Sequence, residues 1–164
     1  MKLDVINLSV DEMPKEWYNI VPDLPEPLPP AKDPEEGPST IAQLGNLYTK
    51  KSLELDASKE RWIKIPEEVW DLYVHVGRPR PLQRALRLER YLKTPARIYY
   101  KREDLSPTGS FKMNTTLAQA YFAAKEGTSR LAVETGAGQT GTAFAFSSKI
   151  FGLQCTIYFV RFAY

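Results

Sequence analysis

Residues 131–160, LAVETGAGQTGTAFAFSSKIFGLQCTIYFV, decide the fold class. Residues 131–134 are typical of a short strand, and residues 142–151 are predicted to form a helix that stops at Gly152. Residues 154–160 are nearly continuous in apolar and β-branched side chains, which favours a strand covered on both faces. A strand, a helix and a strand joined by short connections indicate a parallel sheet with a right-handed crossover.

The pattern stays regular upstream of this segment. Residues 81–93 are predicted to form a helix and residues 96–102 a strand. A second helix is predicted over residues 111–126, with Ser110 as its N-cap and Gly127 at its end. The chain is therefore predicted to be an α/β protein with a parallel β-α-β-α-β unit.

Prolines dominate the stretch near the N-terminus. Residues 22–38 hold seven of the chain's 13 prolines, and each proline fixes φ and removes a backbone donor, so we predict an extended arm. An arm draped over a folded body is favoured over a flexible tail, because apolar anchors lead into it: Trp17, Tyr18, Ile20, Val21 and Leu24. We divide the chain into an N-terminal segment, residues 1–65, and a partial α/β domain, residues 66–164.

Three short elements are predicted between the arm and the α/β unit. The pattern allows a helix over residues 39–47 and a strand over residues 61–65, and it indicates a helix over residues 66–76 that begins at Pro66. His75 lies off the apolar stripe of that last helix, so a solvated or partner-facing role is favoured over catalysis.

The composition excludes several classes of function. The 164 residues carry 22 basic and 20 acidic side chains, and this near balance argues against a dedicated nucleic-acid binder. One cysteine, Cys155, cannot form an internal disulfide and suits a reducing compartment. With one histidine, His75, no His/Cys zinc cage can be built, and any Ser-His-Asp triad would have to use it. No metal site is expected.

The sequence also argues against a membrane location. No stretch approaches the roughly 18 consecutive apolar residues that a membrane helix needs. The N-terminus, MKLDVINLSVDEMPKEW, carries acids and lacks the continuous apolar run of a signal peptide. We therefore expect the protein in the cytoplasm.

Lys112 is the first candidate for chemistry. It lies in the first turn of a predicted helix, where the macrodipole disfavours a cation by roughly 0.3–1 kcal/mol. A positive, partly buried environment would lower the pKa of its amine and leave a neutral group that can form a Schiff base. The alternative is an ordinary solvated helix lysine.

Glu134 and the glycine-rich turn that follows are the second candidate. Both unusual loops, residues 103–112 and 134–141, are expected at carboxyl ends of strands, where ligands bind in open parallel sheets. A carboxylate there can act as a general acid or base, and the amides of the turn can bind an anion. The alternative is a tight strand-to-helix turn without a ligand. The turn matches neither a Walker loop nor GxGxxG.

Two long motifs carry a resemblance to a known family. The run REDLSPTGSFKMN, residues 102–114, resembles the lysine segment of tryptophan synthase β subunits, and ETGAGQTG, residues 134–141, is similar to their substrate-carboxylate loop. Three shorter runs resemble the second, stand-alone type of β subunit: WYNI, residues 17–20, PDLP, residues 22–25, and GRP, residues 77–79. The resemblance spans nearly the whole chain and is weakest over residues 39–60.

The resemblance implies a fold type II enzyme that uses pyridoxal 5'-phosphate to replace the hydroxyl of L-serine with indole, giving L-tryptophan and water. Lys112 then holds the cofactor as a Schiff base and moves the α-proton, and Glu134 assists loss of the hydroxyl and attack by indole. The resemblance assigns cofactor binding to Lys112, Asn114 and Gln139. It assigns the substrate carboxylate to Thr135, Gly136, Ala137, Gly138, Gln139 and Thr140. A homodimer or larger homo-oligomer is expected.

The chain departs from the family at three positions and in length. Phe111 stands where the family commonly has His, Thr140 where it has His or Trp, and Arg80 where Thr is usual. Family members are more than twice as long, and the expected glycine-rich grip on the cofactor phosphate is missing from these residues. Since charge-assisted hydrogen bonds to a phosphate are strong, we expect the loss to weaken cofactor binding by several kcal/mol.

Two alternatives stay open. The first is a non-catalytic truncated homologue that acts by self-association or by pairing with another chain, because exposed strands invite pairing. Its interface would use aromatic side chains near the C-terminus: Tyr158, Phe159, Phe162 and Tyr164. The second is a relative of serine/threonine dehydratases or cysteine synthases, against which Glu134 argues, since those relatives typically lack an acid at this position.

Overall fold

The computed structural model describes residues 4–29, 32, 33, 35, 39 and 41–161. Its helices and strands are, in chain order, β1 Val5–Ile6, β2 Glu16–Tyr18, α1 Leu44–Leu47, α2 Lys50–Asp56, β3 Trp62–Lys64, α3 Glu67–His75, β4 Leu82–Arg84, α4 Leu86–Leu92, β5 Tyr99–Lys101, α5 Met113–Lys125, β6 Arg130–Thr135, α6 Gln139–Ile150 and β7 Gln154–Phe159. None of the helices described is long and apolar enough to cross a membrane.

The predicted α/β class is confirmed, and its parallel unit is β6–α6–β7. The two strands pair in parallel from Arg130 opposite Gln154 to Thr135 opposite Phe159. The helix between them begins at Gln139, three residues earlier than predicted, because Gly138 takes a left-handed conformation with φ +88° and turns the chain directly into the helix.

The strand predicted over residues 96–102 lies elsewhere than expected. It forms as β5 in an antiparallel three-stranded sheet of order β1-β4-β5, whereas the prediction joined it to the parallel sheet. Its partner β4 occupies the start of residues 81–93, which were predicted as one helix. A strand forms there because both of its neighbours offer backbone partners, and α4 begins only at Leu86.

The elements predicted between the arm and this sheet are present in the structure. They are α1 within residues 39–47, β3 within residues 61–65 and α3 within residues 66–76. Pro66 is the N-cap of α3, and Gly77 follows its end with φ +89°.

The hydrophobic core lies between α3 and α5. Side chains from both helices meet residues from the N-terminal segment in one buried cluster: Met13, Ile65, Val69, Tyr73, Val76, Met113, Leu117, Ala118 and Phe122. Full burial of a Val, Leu or Met side chain stabilises the fold by roughly 1.5–3 kcal/mol, so this cluster fixes α5 on the body. A buried hydrogen bond of 2.8 Å between the hydroxyls of Thr116 and Ser147 joins α5 to α6.

The N-terminal segment is anchored by its aromatic side chains. Trp17 packs edge-on against Phe122 of α5 with ring centroids 6.4 Å apart, and within the segment the ring centroids of Tyr18 and Trp62 are 5.1 Å apart. In the arm, Leu24 is half-buried, whereas residues 25–29 are exposed. Pro30, Pro34 and Pro38 lie outside the described residues. The division at residue 65 stays a prediction.

A carboxylate at the end of α5 holds the start of α2. The two carboxylate oxygens of Glu126, the residue after α5, accept the amides of Lys50 at 3.0 Å and Lys51 at 2.9 Å. The N-cap Thr49 accepts the amide of Ser52 at 3.2 Å. These contacts satisfy donors that have no partner inside the helix, and the negative charge suits the positive end of α2.

Candidate functional site

Lys112 lies at the N-cap of α5, at the end of the loop that leaves β5. Ser110 was predicted to cap this helix, but its backbone is tied into the loop. The hydroxyl of Ser106 donates to the carbonyl of Ser110 at 2.7 Å and accepts the amide of Ser110 at 2.9 Å. The carbonyl of Lys112 instead accepts the first helical amides, from Thr115 at 3.2 Å and Thr116 at 3.1 Å.

The amine of Lys112 makes no ion pair with any carboxylate among the described residues. Its nitrogen lies 4.5 Å from the ring centroid of Phe111, which is itself 58% exposed. A cation over an exposed aromatic face gains only about 0.5–1 kcal/mol. The amine is therefore available to an incoming group.

Asn114 is held at both its side chain and its backbone. Its Nδ2 donates to Oε2 of Glu103 at 3.1 Å, and its carbonyl accepts the hydroxyl of Tyr73 at 2.7 Å. Burial raises the pKa of Tyr73, with a smaller opposing effect from Arg78, so the hydroxyl is a proton donor at neutral pH. Both contacts fix the first turn of the helix that Lys112 begins.

A cavity of about 630 Å³ opens beside this turn. Phe111 and Asn114, the neighbours of Lys112, form part of its wall together with Gln119 from the next turns of α5. Its other walls carry aromatic rings, a carboxylate and a guanidinium, among them Trp17, Tyr73, Phe122, Asp56 and Arg78. The cavity can accept a group that is both aromatic and charged.

The glycine-rich turn sits where β6 passes into α6. A Cβ on Gly138 would lie 3.4 Å from the ring of Phe159. The carbonyl of Gly138 accepts the amide of Thr142 at 2.9 Å. Gly141 is buried, and a Cβ there would lie 2.8 Å from Ile157 and 3.0 Å from Thr135. Small residues therefore let the start of α6 rest directly on the ends of both parallel strands.

The turn leaves its backbone open to a ligand. Gly136, Ala137 and Gln139 are exposed, Thr140 is half-buried, and no other atom lies within 4 Å of a Cβ built on Gly136. The first amides of α6 have no acceptor inside the helix and lie at its positive end. This arrangement suits a carboxylate or phosphate.

Glu134 lies on β6 directly before this turn and is exposed. Its carboxylate makes no hydrogen bond or ion pair with other described residues, and the residue lines a second cavity of about 750 Å³ between β6, α5 and the α1–α2 segment. Three residues line both cavities: Ser52, Asp56 and Gln119.

The structure thus forms two groups of the residues predicted for the site. Lys112 and Asn114 lie at the start of α5, and residues 134–140 lie at the start of α6. The two helices pack against each other through Thr116 and Ser147. No hydrogen bond or ion pair joins Lys112 to Glu134 in the part of the chain that the structure describes.

Sequence reasoning missed Glu103, Tyr73 and the burial of Arg80. Glu103 could have been noticed as a carboxylate in the loop between a predicted strand and Lys112. Tyr73 offered only its place on the apolar stripe of a predicted helix. Arg80 lies between two prolines and carries no local sign that its side chain is buried.

Two comparisons with known proteins each give a match. A protein-family model described as "Pyridoxal-phosphate dependent enzyme" matches residues 75–163, which is more than half of the chain. "Tryptophan synthase beta chain 2" of Methanothermobacter thermautotrophicus is 55% identical over 162 residues, covering 99% of this chain and 38% of that protein. "Tryptophan synthase beta chain 1" of Sulfurisphaera tokodaii is 54% identical, with 96% of this chain and 37% of that protein covered. The chain spans little more than a third of the length of these relatives.

Proposed function

The chain belongs to the pyridoxal-phosphate-dependent enzyme family, and from this premise we propose that it carries a tryptophan synthase β site, which replaces the hydroxyl of L-serine with indole to give L-tryptophan. The observation that carries the proposal is the packing of α5 against α6, because α5 begins with a lysine amine that has no acidic partner and α6 begins with an open glycine-rich turn. The high identity to tryptophan synthase β chains favours this reaction over others of the family.

The residues present fit the family's cofactor. The hydroxyl oxygens of Thr108 and Ser110, in the loop before Lys112, are buried and make no hydrogen bond with other described residues. Buried hydroxyls without a partner are rare, and they fit a site that an additional polar group completes. The amine of Lys112 also lacks an acidic partner, so an aldehyde can reach it without breaking an ion pair.

When bound, pyridoxal phosphate withdraws electrons from the α-carbon of an amino acid. Lys112 would hold it through the ε-nitrogen and carry the α-proton. Asn114 and Gln139 would orient it. The amides and side chains of residues 135–140 would bind the carboxylate of serine, and Glu134 would give a proton to the departing hydroxyl.

Cofactor trapping tests the proposal. Titration of the chain with pyridoxal phosphate, reduction with borohydride and peptide mapping are expected to place the adduct on Lys112. Lys112→Ala is expected to abolish it, whereas Lys149→Ala, which removes an exposed lysine from the last turn of α6, is expected to leave it unchanged. Labelling scattered over surface lysines would refute the proposal.

Association is the second candidate function, as a homo-oligomer or with another chain. It is favoured by the exposed apolar side chains of β7, where Tyr158 is 64% exposed beside the half-exposed Ile157 and Phe159. Exposed strands with such side chains recruit partners. Sedimentation velocity is expected to show a dimer or larger species, and a monomer at all concentrations would refute association.

The proposed compartment is the cytoplasm. Cys155 is the chain's one cysteine and has no internal partner for a disulfide. A free thiol suits a reducing compartment. Fluorescence microscopy of the tagged protein is expected to show uniform cytoplasmic signal, and export to an oxidising compartment would contradict it.

A further inference from the structure

Arg80 is a charged side chain buried beside the Lys112 helix. It is 2% exposed, and its Nη2 donates to the carbonyl of Val76 at 3.1 Å. Its Nε lies 3.6 Å from Oε2 of Glu103, but neither Nε nor Nη1 makes a hydrogen bond with any described residue. Burial of a cation with unsatisfied donors lowers stability, and the charge of the nearby Glu103 carboxylate opposes this cost.

One carboxylate oxygen joins Arg80 to the start of α5. The Oε2 atom of Glu103 that faces Arg80 also accepts Nδ2 of Asn114 at 3.1 Å. Asn114 lies in the first helical turn, where its amide bonds to the carbonyl of Phe111 at 2.9 Å. Lys112 lies between these two residues in the chain, so whatever fixes Asn114 also fixes the backbone of Lys112.

We propose that Arg80 is a positioning residue for Lys112, acting through Glu103 and Asn114. The inference rests on the proposed role of Lys112 as the cofactor lysine. Glu103 is partly exposed, and without the buried cation its carboxylate is free to turn toward water. Asn114 then loses its acceptor, and the helical turn that presents the Lys112 amine opens more often.

Amide hydrogen exchange by NMR tests the positioning without any cofactor. The informative amides are those of Thr115 and Thr116, which donate to the carbonyl of Lys112, and those of Ala120 and Ala123 in the second half of α5. In Arg80→Met, protection of the first pair is expected to fall about tenfold, a change of about 1.4 kcal/mol in local opening, while the second pair stays protected.

Three further variants separate positioning from general stability. Arg80→Lys keeps a cation near Glu103 and is expected to recover most of the protection. Adding Arg80→Met to Asn114→Ala is expected to cause no further loss, because the connection runs through Asn114. Arg84→Met breaks a comparable pair with the buried Glu89, away from α5, and is expected to leave the first turn unchanged.

Two results would overturn the inference. One is a loss of protection spread evenly along α5 in Arg80→Met, which would mean a purely structural role. The other is an undiminished rate of borohydride-trapped pyridoxal phosphate on Lys112 in a variant whose first turn has lost protection. A failure of trapping in the unmodified chain refutes the proposed function instead, and it leaves the exchange comparison unaffected.

Discussion

Replacing Gly141 by Ala is expected to destabilise the chain, although alanine is the better helix former. The added Cβ would lie 2.8 Å from Cγ2 of Ile157 and 3.0 Å from Cγ2 of Thr135. Carbon atoms pack best at about 3.5–4.0 Å, so α6 would have to move away from both parallel strands. Overpacking of this kind costs about 1–3 kcal/mol, against a helix-propensity gain of about 0.5–1 kcal/mol. The middle of these two ranges gives a net loss of about 1 kcal/mol.

Urea unfolding followed by circular dichroism measures this loss. In a thermal unfolding experiment, a change of about 1 kcal/mol in the free energy of unfolding corresponds to roughly 2–4 °C in the melting temperature for a chain of this size. Gly45→Ala is the matched control, because Gly45 also lies in a helix and no atom is within 4 Å of a Cβ built on it. That variant is expected to be neutral or slightly stabilising. If Gly141→Ala is as stable as Gly45→Ala, the direct contact of α6 with the strand ends is wrong.

Two further predictions concern carboxylates. On the proposed function, Glu134→Gln is expected to keep the trapped adduct on Lys112 but to lower tryptophan formation from serine and indole by about 10²–10⁴-fold, the usual contribution of a general acid. The control is Glu67→Gln, which changes an exposed carboxylate outside the site. Full turnover in Glu134→Gln would contradict a role of Glu134 in the reaction. The hydrogen bond from Arg84 holds the pKa of Glu89 below its ordinary value of 4.5, so the ion pair contributes stability above that pH and loses it as the pH falls through the lowered pKa. Urea midpoints measured from pH 6 to pH 2 are expected to fall less steeply in Glu89→Gln than in the unmodified chain, and parallel curves would contradict this reading.

The parallel unit was predictable because its sequence is locally consistent. The apolar run that forms β7 and the glycines that flank α6 indicate the same structure at every level of the pattern. The start of β4 was not predictable, because Leu82 and its neighbours are strand only through pairing with β1 and β5, which are distant in the chain.

The candidate site was likewise predictable from the sequence only in part. Lys112 and the turn from Glu134 to Thr140 follow from motifs that are continuous in the chain. The contacts of Asn114 with Glu103 and Tyr73 depend on how an antiparallel sheet and α3 meet α5, and no local pattern contains that information. Ser110 was misjudged as the helix cap for a similar reason, since a second serine, Ser106, captures its backbone.

The carboxylate of Glu126 connects the far end of α5 to the first amides of α2. The 13 residues of α5 form a rod about 20 Å long, with Lys112 at one end and the bonds from Glu126 to the amides of α2 at the other. A tilt of about 5° around the Lys112 end would displace the other end by about 2 Å, which is enough to break those bonds. We therefore expect a displacement of α5 at its Lys112 end to weaken the contacts that Glu126 makes with the first amides of α2.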